Sequence, residues 1–126
     1  MSWDIVLFNS GKKISAVEDI DESQLIPFDF GAAFKANFKN IRQNGEHYSI
    51  DGDGFSIEYF DDGELASNMM LSLYGEAALY PIIDLAIKNN WQIFDTGPGE
   101  MIDLRRPSKN GFQKFRAYLN QILKNN

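Results

Sequence analysis

Residues 47–74 read HYSIDGDGFSIEYFDDGELASNMMLSLY, and this stretch decides the fold class. Phe55, Ile57 and Tyr59 alternate with Ser56, Glu58 and Phe60, and Met69, Leu71 and Leu73 alternate with Met70, Ser72 and Tyr74. A period of two is that of a strand with one face in the core. Asp51-Gly52-Asp53-Gly54 and Asp61-Asp62-Gly63-Glu64 separate the runs with turn residues. His47 to Ile50, Phe55 to Phe60 and Leu65 to Tyr74 are therefore expected to form a three-stranded antiparallel meander punctuated by two acidic turns.

On either side the period changes. Upstream, Phe30, Ala33, Phe34, Asn37, Phe38 and Ile41 recur at helical spacing behind Asp29, an N-cap residue, and Asn44-Gly45 supplies a stop. Trp3 to Asn9 is apolar enough for a buried strand inside the sheet, and Lys12 to Pro27, which holds Glu18, Asp19, Asp21 and Glu22, shows no periodicity and is expected to be a solvated connection. Downstream, Ala78, Leu79, Ile82, Ile83, Ala86 and Ile87 form a second helical stripe ending at Asn89-Asn90. Pro81 requires that this helix begin close to it or bend there. Trp91 to Asp95 and Glu100 to Leu104 read as strands joined by Thr96-Gly97-Pro98-Gly99. A third helix is expected after Pro107, with Phe112, Phe115, Tyr118, Leu119, Ile122 and Leu123 on one stripe. The expected fold is thus a single α+β domain over residues 1–126: two layers, a largely antiparallel sheet of about six strands, and three helices.

Charge is unevenly distributed. All 18 acids lie at or before Asp103, against six bases up to residue 104, a balance of −12; the last 22 residues hold the other six bases and no acid, which returns the total to −6. An acidic body repels phosphates, so nucleic acid is not an expected partner. No apolar run reaches the roughly 20 residues of a membrane span, and Asp4 stands where a cleaved export signal would be apolar, so a cytoplasmic protein without a membrane partner is expected. Zero cysteines exclude disulfides and thiolate chemistry.

The strings that could carry chemistry fail in detail. Asp95-Thr96-Gly97 matches the core of an aspartic protease motif, in which two such segments share a proton between two carboxylates, but there is no second copy and Pro98 stands where a small residue is usual. A strand-ending turn accounts for the same residues. Asp51-Gly52-Asp53-Gly54 resembles the opening of a calcium loop, yet Phe55 occupies a ligand position, Ser56 replaces the required glycine and Asp62 the terminal glutamate. His47 is the only histidine and has no second His or Cys to complete a zinc set. Gly97-Pro98-Gly99 lacks the features of a nucleotide loop. Neither a cofactor nor a metal is implied.

From Ala77 to Leu104, a helix followed by Asn90-Trp91-Gln92-Ile93-Phe94-Asp95, a glycine turn and Met101-Ile102-Asp103-Leu104, the chain resembles small uncharacterised bacterial proteins, some of them grouped with immunity proteins of polymorphic toxin systems. The resemblance covers about a quarter of the chain and transfers no catalytic residue. It implies an intracellular protein that binds and neutralises a toxin domain, commonly a basic nuclease. The expected function is a non-enzymatic acidic binding module that presents Asp51 and Asp53, Asp61, Asp62 and Glu64, and Asp95 and Glu100 to a basic protein partner. Two alternatives stand beside it: a hydrolase using Asp95 with Glu100 or Asp103, and a homo-oligomeric ligand-binding or scaffold domain.

Overall fold

The computed structural model of the chain describes residues 2–104. The third helix expected beyond Pro107, and the basic tail to which it belongs, lie outside the described residues.

Among the described residues, seven strands and two α-helices follow one another: β1 (Trp3–Asn9), α1 (Phe30–Asn37), β2 (Ile41–Asn44), β3 (His47–Gly52), β4 (Phe55–Phe60), β5 (Asn68–Tyr74), α2 (Leu79–Asn89), β6 (Trp91–Asp95) and β7 (Glu100–Met101). The strands form one sheet in the order β2-β3-β4-β5-β1-β6-β7, and every neighbouring pair is antiparallel. The fold is α+β. The sheet has seven strands where about six are expected from the sequence, and the described residues contain two α-helices.

The additional strand is β2, which lies wholly within the span from Phe30 to Asn44-Gly45 that the sequence assigns to one helix. Helix α1 starts as expected, with the Asp29 carboxylate accepting from the Ala32 N–H at 3.0 Å, but it stops at Asn37, and Phe38 is already extended at φ −121° and ψ 134°. Ile41 then pairs with Ile50 across β2 and β3, a contact between β-branched residues that a sheet favours and a helix does not. Gly45-Glu46 forms a hairpin turn: Asn44 pairs with His47, and Gly45 takes φ 63°, a left-handed value open to glycine at little cost.

Smaller corrections have local causes. Lys12 to Pro27 contains two 3₁₀ turns, Val17–Asp19 and Glu22–Gln24, the second capped by Asp21, whose carboxylate accepts from the N–H and hydroxyl of Ser23. Those bonds hold the Asp21 pKa below its usual value, the side-chain bond most of all. Strand β5 begins at Asn68, and β7 ends at Met101, both shorter than expected. Helix α2 begins at Leu79, so Pro81 falls in its first turn, where a missing N–H costs no helical hydrogen bond. Asn90 closes it in the left-handed conformation, φ 60° and ψ 34°.

Both helices lie on the same face. Trp3, Ile5 and Leu7 of β1, Ile57 and Tyr59 of β4, Leu71 and Leu73 of β5 and Ile93 of β6 share one core with Phe30 and Phe34 of α1 and Leu79, Ile82, Leu85 and Ala86 of α2. Fully burying each such aliphatic or aromatic side chain is worth about 1.5–3 kcal/mol, so this face dominates stability. The alternate residues point the other way. Cross-strand registers place His47 opposite Phe60, Met70 opposite Val6, Val6 opposite Phe94 and Phe94 opposite Met101, and none of the described helices covers this second face. No helix among the described residues is long and apolar enough to cross a membrane.

Candidate functional site

The ladder between β4 and β5 holds three pairs, Ser56↔Tyr74, Ile57↔Leu73 and Glu58↔Ser72. Beyond Glu58 the two strands continue apart, β4 remaining paired to β3 through Tyr59↔Tyr48 and Phe60↔His47, and β5 to β1 through Met70↔Val6 and Met69↔Leu7. The run into β5 is drawn aside by the segment before α1: the Phe28 N–H donates to the Ala66 carbonyl at 2.9 Å and the Ala66 N–H to the Phe28 carbonyl at 3.1 Å. The parting opens a cleft of ≈ 460 Å³, beside which the turn Asp61–Glu64 folds.

Five carboxylates line this cleft, those of Glu46, Glu58, Asp61, Asp62 and Glu64, and among the described residues neither lysine nor arginine does. Between them stand Phe60 and Met70, 72% and 56% exposed, and Leu65 on the adjoining turn is 63% exposed. The turn is shaped by its own acids: the Gly63 N–H donates to the Asp61 carboxylate at 2.9 Å, and the Glu64 N–H donates to that of Asp62 at 2.9 Å. Asp61 is further seated by the absence of a side chain on Gly31 in α1, since a Cβ there would collide with its Oδ2. His47 Nε2 lies 3.8 Å from Glu58 Oε1, and the His47 ring packs on Phe60 with centroids 5.1 Å apart. A hydrogen bond to Glu58, more than burial or the charges of Glu58 and Asp4, raises the pKa of the Tyr74 phenol.

Tyr59 also lines the cleft, from the helix side. Its ring is 2% exposed and stacks on Tyr48 and against Phe34, and its hydroxyl has no hydrogen-bond partner among the described residues. Burial first, then the charges of Asp61 and Tyr48, push its pKa up to about 12.

The other acids expected to bind lie elsewhere. Asp51 is on β3 rather than in the turn, and Arg42 grips it from β2, Nε to Oδ2 at 2.7 Å and Nη2 donating to Oδ1 at 3.1 Å, so its charge is matched. Asp53 is exposed at the β3–β4 turn, at the opposite end of those strands from Asp61. Asp95 is 2% exposed, and its Oδ1 accepts from the Trp3 indole N–H at 2.9 Å and from the Gly97 N–H at 3.0 Å. Glu100 faces Asp95 across β6 and β7 and is exposed. The structure therefore gathers Asp61, Asp62 and Glu64, separates them from the other four, and adds Glu46, Glu58, Phe60 and Met70, which the sequence had not marked as binding residues. Asn44-Gly45 ahead of a β-rich run was the signal that could have placed Glu46 at a hairpin turn beside this end of β4.

A larger hollow, ≈ 960 Å³, lies between Ser10–Ser15, the end of α2 and Met101–Leu104, bordering the last described residue. Its lining is mixed and holds no comparable set of charges. No group of three or more His, Asp or Glu among the described residues could hold a metal ion. Comparison with protein-family models, with curated proteins and with solved structures finds no match to this chain.

Proposed function

We propose that the protein is a non-enzymatic acidic binding module that captures a basic protein domain, in the manner of an immunity protein neutralising a toxin. One observation carries the reading: five carboxylates, with no lysine or arginine of the described residues among them, surround the exposed Phe60 and Met70 at a cleft in the sheet. Each half of that arrangement does separate work. The carboxylates draw a cationic partner in and reject anionic ones, raising the association rate more than the final affinity. The apolar centre gives the contact a core from which water leaves, where most binding energy resides.

The hydrolase alternative has less behind it. A general acid or base must reach a substrate, whereas Asp95 is almost wholly buried and holds the Trp3 indole and its own turn. A homo-oligomer joined through the cleft would set its carboxylates against their own copies, which is unfavourable. The test is calorimetric titration with the basic protein domains encoded beside this protein's gene. Binding that weakens as salt rises is expected; no binding even at low salt would sink the reading.

A further inference from the structure

We propose that the cleft between β4 and β5 takes an arginine side chain of the basic partner, its methylene stem against Phe60 and Met70 and its guanidinium among Glu46, Glu58 and Asp61. This deepens the reading above and rests on it. The cleft is small, ≈ 460 Å³, near the lower end of the roughly 300–1,000 Å³ typical of ligand pockets, and suits one long side chain better than a folded segment. Its apolar walls and acidic rim match a side chain that is apolar along its length and charged at its tip.

Arginine fits better than the other cations. The carboxylates are spread around the rim and do not converge into a metal site. A planar fork with five N–H donors can meet carboxylates from more than one direction, whereas an ammonium acts as a compact point charge. Phe60, with most of its ring exposed, offers a face on which a guanidinium stacks. Tyr59, on the inner wall, adds a buried hydroxyl with no hydrogen-bond partner among the described residues, an acceptor not yet used. Among the described residues, Arg42 is paired with Asp51, and the Lys35 ammonium sits 5.4 Å from the centre of the Tyr48 ring.

The experiment titrates the full-length protein with N-acetyl-arginine amide, N-acetyl-lysine amide and the neutral isostere N-acetyl-citrulline amide, following methyl and aromatic NMR signals. The arginine compound is expected to shift Met70, Phe60 and His47 at millimolar concentration, with citrulline silent and lysine weaker. Glu58→Gln or Asp61→Asn is expected to weaken the arginine compound roughly tenfold by removing one charge-assisted contact. Equal binding of lysine, shifts spread evenly over all acidic turns including Asp53, or a concentration-dependent dimer held through the cleft would each overturn the assignment. If a basic partner binds the wild type and is indifferent to Phe60→Ser and Glu58→Gln, the arginine cleft falls and the binding module stands. If the arginine compound fills the cleft and no basic domain binds, the arginine specificity stands and the module reading falls.

Discussion

Asp61-Asp62-Gly63-Glu64 and Asp95-Thr96-Gly97-Pro98-Gly99-Glu100 are alike on paper, each an acidic, glycine-bearing turn after an apolar strand. In the fold they are opposites. The leading aspartate of each turn accepts the N–H of the residue two positions on, Gly63 at 2.9 Å and Gly97 at 3.0 Å. Only Asp95 also lies beneath a tryptophan, which β1 supplies 92 residues earlier in the chain. That one long-range partner turns a surface acid into an internal anchor. What a carboxylate does is set less by its own turn than by what the sheet lays across it.

The largest expected effect breaks the buried turn. Asp95→Ala removes the acceptor of the Trp3 indole N–H and of the Gly97 N–H, which should cost about 3 kcal/mol of stability in a denaturant titration, since a buried donor that loses its acceptor costs about 1–3 kcal/mol. Asp62→Ala with Glu64→Ala should change stability by no more than about 0.5 kcal/mol, the usual range for exposed sites, while slowing capture of a basic partner. Equal losses at the two turns would erase the contrast between them.

A second test uses the tyrosine beside Asp61. The Tyr59 pKa is raised in the folded protein, to about 12 from 10, so below pH 10 its contribution to stability is whole, and it is lost as pH climbs from 10 through 12, where the unfolded chain has released a proton that the folded chain retains. Tyr59→Phe should flatten that alkaline decline, and at pH 7 should shift stability by no more than about 1 kcal/mol because the hydroxyl it removes has no partner among the described residues. Asp61→Asn should lower the phenol's titration, followed by ultraviolet absorbance, by a smaller amount than burial contributes.

A substitution with little net effect on stability sharpens the comparison most. Gly31→Ala places a methyl where the Asp61 carboxylate rests. Alanine favours the helix over glycine by about 1 kcal/mol, and displacing a side-chain end costs a similar amount, so the net change should be within about 1 kcal/mol. The Gly63 amide should nonetheless lose protection from hydrogen exchange as Asp61 moves away. An unchanged amide would mean that the turn holds Asp61 without help from α1.

Strong periodicity was legible. The meander, both described helices and the β6–β7 hairpin follow from alternation, helical stripes, Asp29 and Asn90, because each depends on residues within a few positions of one another. Strand β2 was hidden because Ile41 falls in phase with Phe30, Phe34 and Phe38 on a helical stripe, and four residues are too few for one period to exclude the other. The cleft had no local signal at all. It exists because Phe28 pairs with Ala66 and draws the chain away from β4, a meeting of residues 38 positions apart.

The sequence by itself determined which face of the meander strands is inside, since alternation assigns each residue there to a face without reference to distant partners. It also determined that the described body carries a large excess of negative charge. Only the tertiary structure decided where that charge acts. Asp51 meets Arg42 through strand register, Asp95 meets Trp3 of the neighbouring strand β1, and Asp61 joins Glu46 and Glu58 because two strands part. Composition adds charges without regard to position, whereas their interaction depends on distance and burial, and both are fixed by contacts between segments far apart in the chain.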